Sequence, residues 1–291
     1  METRPFGATG LTVPVLGLGA GQVGEADVDD AQAAALLHGA LDAGVTLLDT
    51  ARGYGSSEER IGRHLHRRRD EFVLSTKGGY DIDGTRDWTP ENLRGTLERS
   101  LRLLRTDRVD VLHLHSCSAE VLRRGELVEV LDAMVQAGSV RVAGYSGENA
   151  DLAYAVGSGR FGSVETSVNL ADQWSLRHVL PQRGGLGVIA KRPLANAPWR
   201  FAERPVGHYA ETYWERLRAL ALDPAGLAWD EFALRFTAYA PGVDCAITGT
   251  ARLANLQRNA ALVARGPLPG DVLAAVDRAW AEHGSDWPGE V

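Results

Sequence analysis

Four side chains that can together deliver a proton to a carbonyl oxygen lie at or near predicted strand ends. Asp49, Lys77 and His115 each take the last inward-facing position of a predicted strand, because side chains alternate between the two faces of a strand. Tyr54 follows Asp49 in a glycine-flanked loop, RGYG. The sequence therefore predicts a carboxylate, an ammonium, an imidazole and a phenol at one mouth.

This set suits carbonyl reduction. A free phenol has a pKa near ~10 and gives up its proton poorly at neutral pH. An adjacent ammonium, Lys77, lowers that pKa, and Asp49 keeps the ammonium charged and in place. A neutral His115 can orient the substrate oxygen while Tyr54 donates the proton. No side chain supplies hydride, so the set implies a nicotinamide cofactor.

Lysine is rare in this chain, which makes its two positions informative. Lys77 and Lys191 are the only lysines among 31 basic residues, and the others are arginine. Each lysine ends a predicted strand. A compact, titratable ammonium has different uses from a guanidinium, so we expect functional roles at both positions, although a solvated strand-end charge is an equal alternative for Lys191.

The elements that must position these residues alternate regularly between strand and helix. Predicted strands span residues 15–19, 46–49, 72–77, 109–115, 140–146, 162–167, 186–190 and 243–248. Eight such units in 291 residues predict an α/β fold, a single (β/α)₈ TIM barrel over residues 1–291. A short hairpin (4–6 and 11–13) precedes it, and additional C-terminal helices (253–264 and 271–283) complete it. A two-domain doubly wound enzyme is the alternative.

Several motifs in this order resemble the aldo-keto reductase superfamily. They are GLGAG (17–21), DTARGYGSSEERIG (49–62), STKGG (75–79), DVLHLH (110–115), GYS (144–146) and ITGTARLANLQRNA (247–260). The resemblance covers nearly the whole chain. It implies a barrel that reduces aldehydes and ketones with NADPH, sometimes NADH, and a catalytic tetrad of Asp49, Tyr54, Lys77 and His115.

The resemblance also implies a cofactor site at the later strand ends. Ser146 matches a contact to the nicotinamide carboxamide, and the 249–252 loop matches the adenosine-phosphate site, where Thr250 could cap a helix and Arg252 adds charge. No metal is implied. The predicted cofactor residues are Gly19, Ala20, Ser146, Glu165, Lys191, Arg192, Pro193, Leu194, Gly249, Thr250, Arg252, Asn255 and Asn259.

The chain departs from the family pattern at three positions near the nicotinamide. Gly147 stands where Asn is common, Glu165 where Gln is common, and Lys191 where a stacking Tyr is common. We hypothesise that Glu165 and Lys191 pair across adjacent strand ends and hold the nicotinamide edge.

The family pattern also has a basic residue after the last strand, where this chain has Gly249. A preference for NADP over NAD then depends on Arg252 and Arg258. The sequence therefore favours NADP and leaves NAD open.

The composition excludes several classes of function. A net charge of −7, a pI near 5.6 and no dominant basic cluster argue against nucleic-acid binding. No apolar run approaches the roughly 18 residues of a membrane span, and the amino end has no apolar signal segment. Cys117 and Cys245 have no motif partner, which fits a reducing cytoplasm. We expect a small-molecule carbonyl substrate and a monomer.

Two other functions stay open. One is an NADP(H)-binding regulatory or redox-sensor protein on the same barrel, with little turnover. The other is a Rossmann dehydrogenase, since GAGQVG (19–24) matches GxGxxG after a strand, although the acidic residues that follow suit pyrophosphate poorly. The substrate pocket is expected to draw on some of the aromatic residues Trp199, Phe201, Tyr209, Tyr213 and Trp214.

Overall fold

Eight parallel strands form a closed barrel in the computed structural model, which describes residues 1–291. The barrel strands are β3 (Leu16–Gly19), β4 (Leu47–Asp49), β5 (Val73–Gly78), β6 (Val109–His115), β7 (Val140–Ser146), β8 (Ser163–Ser167), β9 (Gly187–Lys191) and β10 (Cys245–Gly249). They follow one another around the barrel, and β10 closes it against β3. The predicted (β/α)₈ barrel is confirmed. The open Rossmann sheet is wrong.

Helices lie between the strands along the chain. They are α1 (Asp30–Asp42), α2 (Ser57–Leu65), α3 (Pro90–Leu104), α4 (Ala119–Arg123), α5 (Glu126–Gln136), α6 (Asn149–Gly157), α7 (Trp174–His178), α8 (Glu211–Leu220), α9 (Trp229–Ala238), α10 (Leu253–Val263) and α11 (Gly270–His283). The short α4 lies between β6 and α5. No helix has both the length and the apolar character that crossing a bilayer requires.

The predicted amino-terminal hairpin is present as β1 (Thr3–Pro5) and β2 (Thr12–Pro14). Phe6, in its connection, is fully buried and belongs to the apolar cluster inside the barrel. A Cβ at Gly187 would come within 2.7 Å of the Phe6 ring, so this strand needs a glycine where the hairpin packs. The hairpin therefore packs against the amino-terminal start of β9, opposite the predicted site.

The barrel interior is built from inward-facing side chains of alternate positions. Leu47, Val111, Ile189 and Ile247 pack together inside, while Leu48 and Leu112 belong to the larger core between strands and helices. Alternation fixes where the next polar residue points, because Asp49 lies two residues after Leu47. The strands thereby aim polar side chains at the carboxyl end of the barrel.

Candidate active site

The predicted tetrad meets at the carboxyl ends of β4, β5 and β6. Lys77 is fully buried, and its Nζ forms an ion pair with the Asp49 carboxylate and donates to the Thr50 carbonyl oxygen at 3.1 Å. The same Nζ lies 5.2 Å from the centre of the Tyr54 ring. The Tyr54 and His115 rings meet edge to face with centroids 6.0 Å apart. Four side chains from separate parts of the sequence thus share one site.

Glycines hold the Tyr54 loop in place. A Cβ at Gly24 would lie 1.9 Å from the Tyr54 carbonyl oxygen, and Gly55 has a positive φ of 53°. The Ser56 N–H donates to the Gly24 carbonyl at 3.2 Å. The glycine-rich loop after β3 therefore packs directly against the Tyr54 loop, which explains its glycines without a pyrophosphate.

Glu165 lies beside this group, but not against Lys191 as we hypothesised. Its Oε2 is 3.3 Å from Lys77 Nζ, whereas Lys191 Nζ lies 3.3 Å from Glu148 Oε1. The reason is register: Glu165 pairs with Ile189 and points into the barrel, while Lys191 pairs with Ser167 nearer the rim. The Glu165–Lys191 pair is therefore wrong.

Glu148 is a buried acid that the sequence analysis did not select. Its carboxylate accepts hydrogen bonds from the backbone N–H and the hydroxyl of Ser167, both at 2.9 Å, and from the Thr166 hydroxyl at 2.6 Å. It is buried and also lines the cavity described below. Its ion pair with Lys191 balances one negative charge with one positive charge at the rim. The one sequence signal for Glu148 was its position two residues after the matched Ser146.

Asp49, Lys77 and Glu165 form what we call the buried charge cluster. Asp49, Glu165 and the nearby His113 offer ligand atoms within 4.8 Å of one another, a spacing that could suit a cation. The Lys77 ammonium, however, already pairs with both carboxylates. We therefore assign the positive charge here to Lys77 and not to a metal ion.

Burial and charge shift the acidity of Asp49 and Tyr54. Burial, reinforced by the Glu165 carboxylate, raises the pKa of Asp49 to about 6 despite Lys77. The Lys77 ammonium is the largest influence on the Tyr54 phenol and lowers its pKa. Burial and the two carboxylates outweigh it and raise the pKa of Tyr54 to about 12. Lys77 therefore acts as predicted, but against a larger opposing effect.

Both histidines of β6 are held neutral. Burial, with a further contribution from the Lys77 charge, lowers the pKa of His113 and of His115 to about 3. His113 is fully buried between the hydroxyls of Ser75 and Ser163, each 3.3 Å from a ring nitrogen. His113 is therefore a hydrogen-bonded core histidine, whereas His115 lines the cavity.

Tyr80 is a residue that the sequence analysis missed. Its hydroxyl lies 2.8 Å from His115 Nδ1, and the two rings lie 5.3 Å apart. The sequence signal for Tyr80 was its position directly after the STKGG motif, which contains Lys77. If the Tyr80 hydroxyl donates to Nδ1, the proton of the neutral His115 ring is on Nε2.

A cavity of about 990 Å³ opens above these residues and contains most of the predicted cofactor residues. Those that line it are Gly19, Glu165, Lys191, Arg192, Pro193, Leu194, Gly249, Thr250, Asn255 and Asn259. Ala20 and Ser146 are fully buried just behind the lining, and Arg252 is exposed outside it. Their roles as contacts stay predictions.

Buried polar atoms without partners show what this cavity suits. Ser146 Oγ, Glu165 Oε2 and Thr248 Oγ1 are buried and make no hydrogen bond within the protein. Such groups are costly to leave unpaired, which points to a polar ligand. A primary carboxamide offers both an acceptor oxygen and N–H donors, so a hydroxyl next to a carboxylate fits a nicotinamide.

The start of α10 differs from the prediction in its cap. Thr250 does not cap the helix; its hydroxyl accepts from the Arg252 N–H at 3.1 Å and from the Asn255 amide at 3.3 Å. Thr250 and Asn255 nevertheless line the cavity at this helix start. Arg258 also lines the cavity, but its guanidinium pairs with Asp230 at 2.7 Å.

The segment after α11 reaches the cavity, because Val291 lines it. Asn149 exchanges two hydrogen bonds with the Gly289 backbone, at 2.6 and 2.9 Å. The Glu290 N–H donates to the buried Asp172 carboxylate at 2.9 Å. These contacts hold the segment against the cavity mouth.

Two of the five aromatic residues considered for a substrate pocket line the cavity. They are Trp199 and Tyr209. Tyr213 is fully buried and donates to Asp172 at 3.1 Å, while Trp214 donates to the Phe201 carbonyl at 3.0 Å. The other three therefore pack the loop that carries the first two.

Comparisons with known proteins agree with this geometry. The model of the Aldo/keto reductase family matches residues 15–281. L-galactose dehydrogenase of Arabidopsis thaliana is 30% identical over 67% of this chain and 66% of its own length. D-threo-aldose 1-dehydrogenase of a Pseudomonas species is 37% identical over 39% of this chain and 44% of its own length.

A solved structure shares the fold over nearly its full length. An aldo-keto reductase of Bacillus halodurans, solved as the holo form, superposes with a TM-score of 0.82. The match covers 96% of each chain at 22% identity. At that identity the comparison shows the barrel alone.

Proposed function

The chain belongs to the aldo/keto reductase family, an NAD(P)H-dependent oxidoreductase family, and we propose that it reduces an aldehyde or ketone to an alcohol. One observation carries the proposal. Asp49, Tyr54, Lys77 and His115 converge at one end of the barrel, at a cavity large enough for a dinucleotide and a small substrate.

Each residue of the tetrad has a separate role in the proposed mechanism. The nicotinamide, when bound, supplies the hydride that reaches the carbonyl carbon. Tyr54 gives its proton to the carbonyl oxygen, and Lys77 stabilises the phenolate that remains. Asp49 keeps the ammonium in place. The neutral His115 donates a hydrogen bond from Nε2 to the same oxygen and orients it.

We propose NADPH as the preferred cofactor, with NADH also accepted. Arg258 is the arginine of α10 that lines the cavity, and it offers a guanidinium for a 2′-phosphate. Asp230 competes for the same guanidinium, which limits the preference. Ser146 and Glu165 would hold the carboxamide.

For the substrate, we propose a hydroxylated aldehyde or ketone of the sugar class. The outer cavity is lined by Asn149, Asp151, Asn196 and His208, which suits several hydroxyl groups better than an apolar chain. The two dehydrogenases named above act, by their names, on an aldose or a galactose. A panel of aldoses, short aldehydes and ketones would test this class.

The first experiment measures reduced-nicotinamide absorbance during turnover for the wild type and Tyr54→Phe. We expect the variant to lose turnover by about 10²-fold or more, because general acid catalysis contributes that much, and to bind cofactor normally. Tyr154→Phe, on α6 outside the cavity, is the matched control. Unchanged turnover in Tyr54→Phe would contradict the role of Tyr54.

A second function has one observation in its favour. The pKa of Tyr54 near 12 makes it a weak acid before cofactor binds, as in an NADP(H)-binding regulatory or sensor protein with little turnover. Tight cofactor binding by the wild type, without turnover on any carbonyl in the panel, would favour this function over the reductase.

Two further proposals concern the setting of the chain. Cys117 and Cys245 are both free and buried, which fits a reducing compartment, and we propose the cytoplasm.

We also propose that residues 1–291 act as one domain, because the cavity draws its lining from residue 19 to residue 291.

A further inference from the structure

Glu165 leaves the buried charge cluster with one negative charge in excess. It is 1% exposed, and its Oε2 makes no hydrogen bond within the protein. Lys77 is its nearest cation at 3.3 Å, but the same ammonium is also the ion-pair partner of Asp49. Two buried carboxylates therefore share one buried ammonium.

No other side chain nearby compensates for this charge. Lys191, the other lysine, is paired with Glu148 at 3.3 Å. His113 is 3.9 Å from Glu165 but is neutral, as is His115. The pKa of Asp49, raised by burial and then by Glu165, reflects the same excess. The cluster therefore attracts a further positive charge.

A bound nicotinamide meets this requirement in one of its two redox states. Under the proposed function, on which this inference rests, its ring lies within hydride reach of a carbonyl at Tyr54. Glu165 lines the same cavity as Tyr54 and Asp49. The oxidised ring is a cation and the reduced ring is neutral, so a buried carboxylate beside it distinguishes the two states.

We propose that Glu165 makes this protein bind the oxidised dinucleotide more tightly, relative to the reduced one, than a neutral side chain would. The same charge stabilises the positive charge that develops on the ring as hydride leaves, and so favours reduction of the carbonyl. Glutamine, the common residue of the family pattern, keeps the hydrogen-bonding shape and lacks the charge.

The test measures dissociation constants by isothermal titration calorimetry, without substrate, for the wild type and Glu165→Gln. The ligands are NADP⁺, NADPH, NAD⁺, NADH and ADP-ribose, which lacks the nicotinamide. We expect Glu165→Gln to lower the preference for the oxidised over the reduced form by about tenfold, the effect of one neighbouring charge worth about one pKa unit. Binding of ADP-ribose should not change.

Two variants serve as controls. Glu165→Asp keeps the charge and should keep most of the preference. Glu58→Gln removes another buried carboxylate, which pairs with Arg99 outside the cavity, and should leave the preference unchanged. Thermal unfolding of each variant checks that it is folded. The ratio of the wild-type dissociation constants for NADP⁺ and NADPH is the reference with which each variant is compared.

The outcomes separate this inference from the proposed function. An unchanged preference in Glu165→Gln, or an equal loss of preference in Glu58→Gln, would overturn the role of Glu165 alone. A wild type that binds none of the dinucleotides would overturn the proposed function, and this inference with it.

Discussion

At the scale of single residues, the acidity of Tyr54 results from opposing charges at short range. Lys77 stabilises the phenolate, while Asp49 and Glu165, which hold Lys77, destabilise it. A cationic ring bound nearby would shift this balance towards the phenolate. We infer that Tyr54 is a weaker acid in the empty site than when the oxidised cofactor is bound, because the cationic ring adds a positive charge beside the two carboxylates.

The first prediction at this scale concerns the pH profile of reduction. Tyr54 stays protonated up to about pH 12 and His115 stays neutral down to about pH 3, so neither limits turnover at intermediate pH. Asp49 gains a proton as pH falls through about 6, which removes one of the two ion-pair partners of Lys77. We expect kcat/KM at saturating NADPH to be level from about pH 7 to pH 9 and to fall below about pH 6.

A fall in kcat/KM between pH 7 and pH 9 would contradict this profile. It would mean that Tyr54 titrates well below its expected range. The Tyr54→Phe variant, measured over the same range, separates Tyr54 from other groups.

The second prediction concerns Tyr80, which we expect to position His115. Tyr80→Phe keeps the ring against Trp88, 5.7 Å away, and removes only the hydroxyl on Nδ1. We expect kcat/KM to fall about fivefold, the value of one lost hydrogen bond of about 1 kcal/mol, with cofactor affinity unchanged. Nitrogen-15 NMR of labelled histidine should show the Nε2–H tautomer of His115 in the wild type and a mixture in the variant.

Tyr239→Phe is the matched control, since its hydroxyl donates to the Val263 carbonyl at 3.0 Å, away from the cavity. It should alter neither the kinetics nor the His115 signal. A wild-type spectrum with the proton on Nδ1 would show that Tyr80 accepts and does not donate.

Much of the tetrad could be predicted because strand alternation fixes direction. Asp49 and His115 end their strands and Lys77 nearly ends its own, so period-two alternation brought them together without knowledge of contacts. Tyr80 could not be placed, because its partner depends on the path of a loop. The partner of Glu165 was wrong because register sets its depth in the barrel, which strand order alone does not give.

At the scale of elements, the ends of helices were harder to predict than their existence. Ser56 and Ser57 precede two acids at the start of α2, a pattern typical of a capped helix, but neither hydroxyl caps it. Ser57 donates to the Ala20 carbonyl at 2.8 Å, and the cap residue Ser56 makes no capping bond. Tertiary partners from the loop after β3 compete for the same hydroxyl. A local sequence signal could not reveal that competition.

A prediction at this scale concerns α9 and α10, which meet at the Asp230–Arg258 ion pair. Asp230→Asn should free the Arg258 guanidinium for a 2′-phosphate and raise the preference of kcat/KM for NADPH over NADH about threefold. The effect is small because the Arg258 side chain is 62% exposed and screened by water. Added salt should reduce the gain.

Asp132→Asn provides the control, since it breaks a comparable exposed pair at 2.6 Å between Asp132 on α5 and Arg160 in the loop after α6. It should leave the cofactor preference as in the wild type. If Asp230→Asn shifted the preference towards NADH instead, Arg258 would not be the phosphate contact that we propose.

At the scale of the whole molecule, the barrel could be predicted and the closure of its mouth could not. Eight alternating units in 291 residues leave few other topologies. The segment after α11 is different, because residues far apart in the chain hold its backbone: Asn149, Asp172 and Arg192 each bond to it. Polar contacts of this kind follow no periodicity, so the short segment gave no sign of its position.

The last prediction concerns assembly. The large apolar side chains that are exposed are Met1, Val135, Val206, Tyr209 and Val291. Tyr209 and Val291 line the cavity, and the other three lie at the amino end, on α5 and in the loop before α8, so they form no continuous patch. A stable dimer of this kind of chain would need such a surface.

We therefore expect a monomer of 31.3 kDa by size-exclusion chromatography with light scattering, with and without NADPH. A mass near twice this value, unchanged on dilution, would contradict the prediction. Repeating the measurement in high salt separates an apolar interface, which salt preserves, from association through charged surfaces, which salt screens. Because all four residues of the tetrad belong to this chain, we expect each molecule to carry out turnover without a partner subunit.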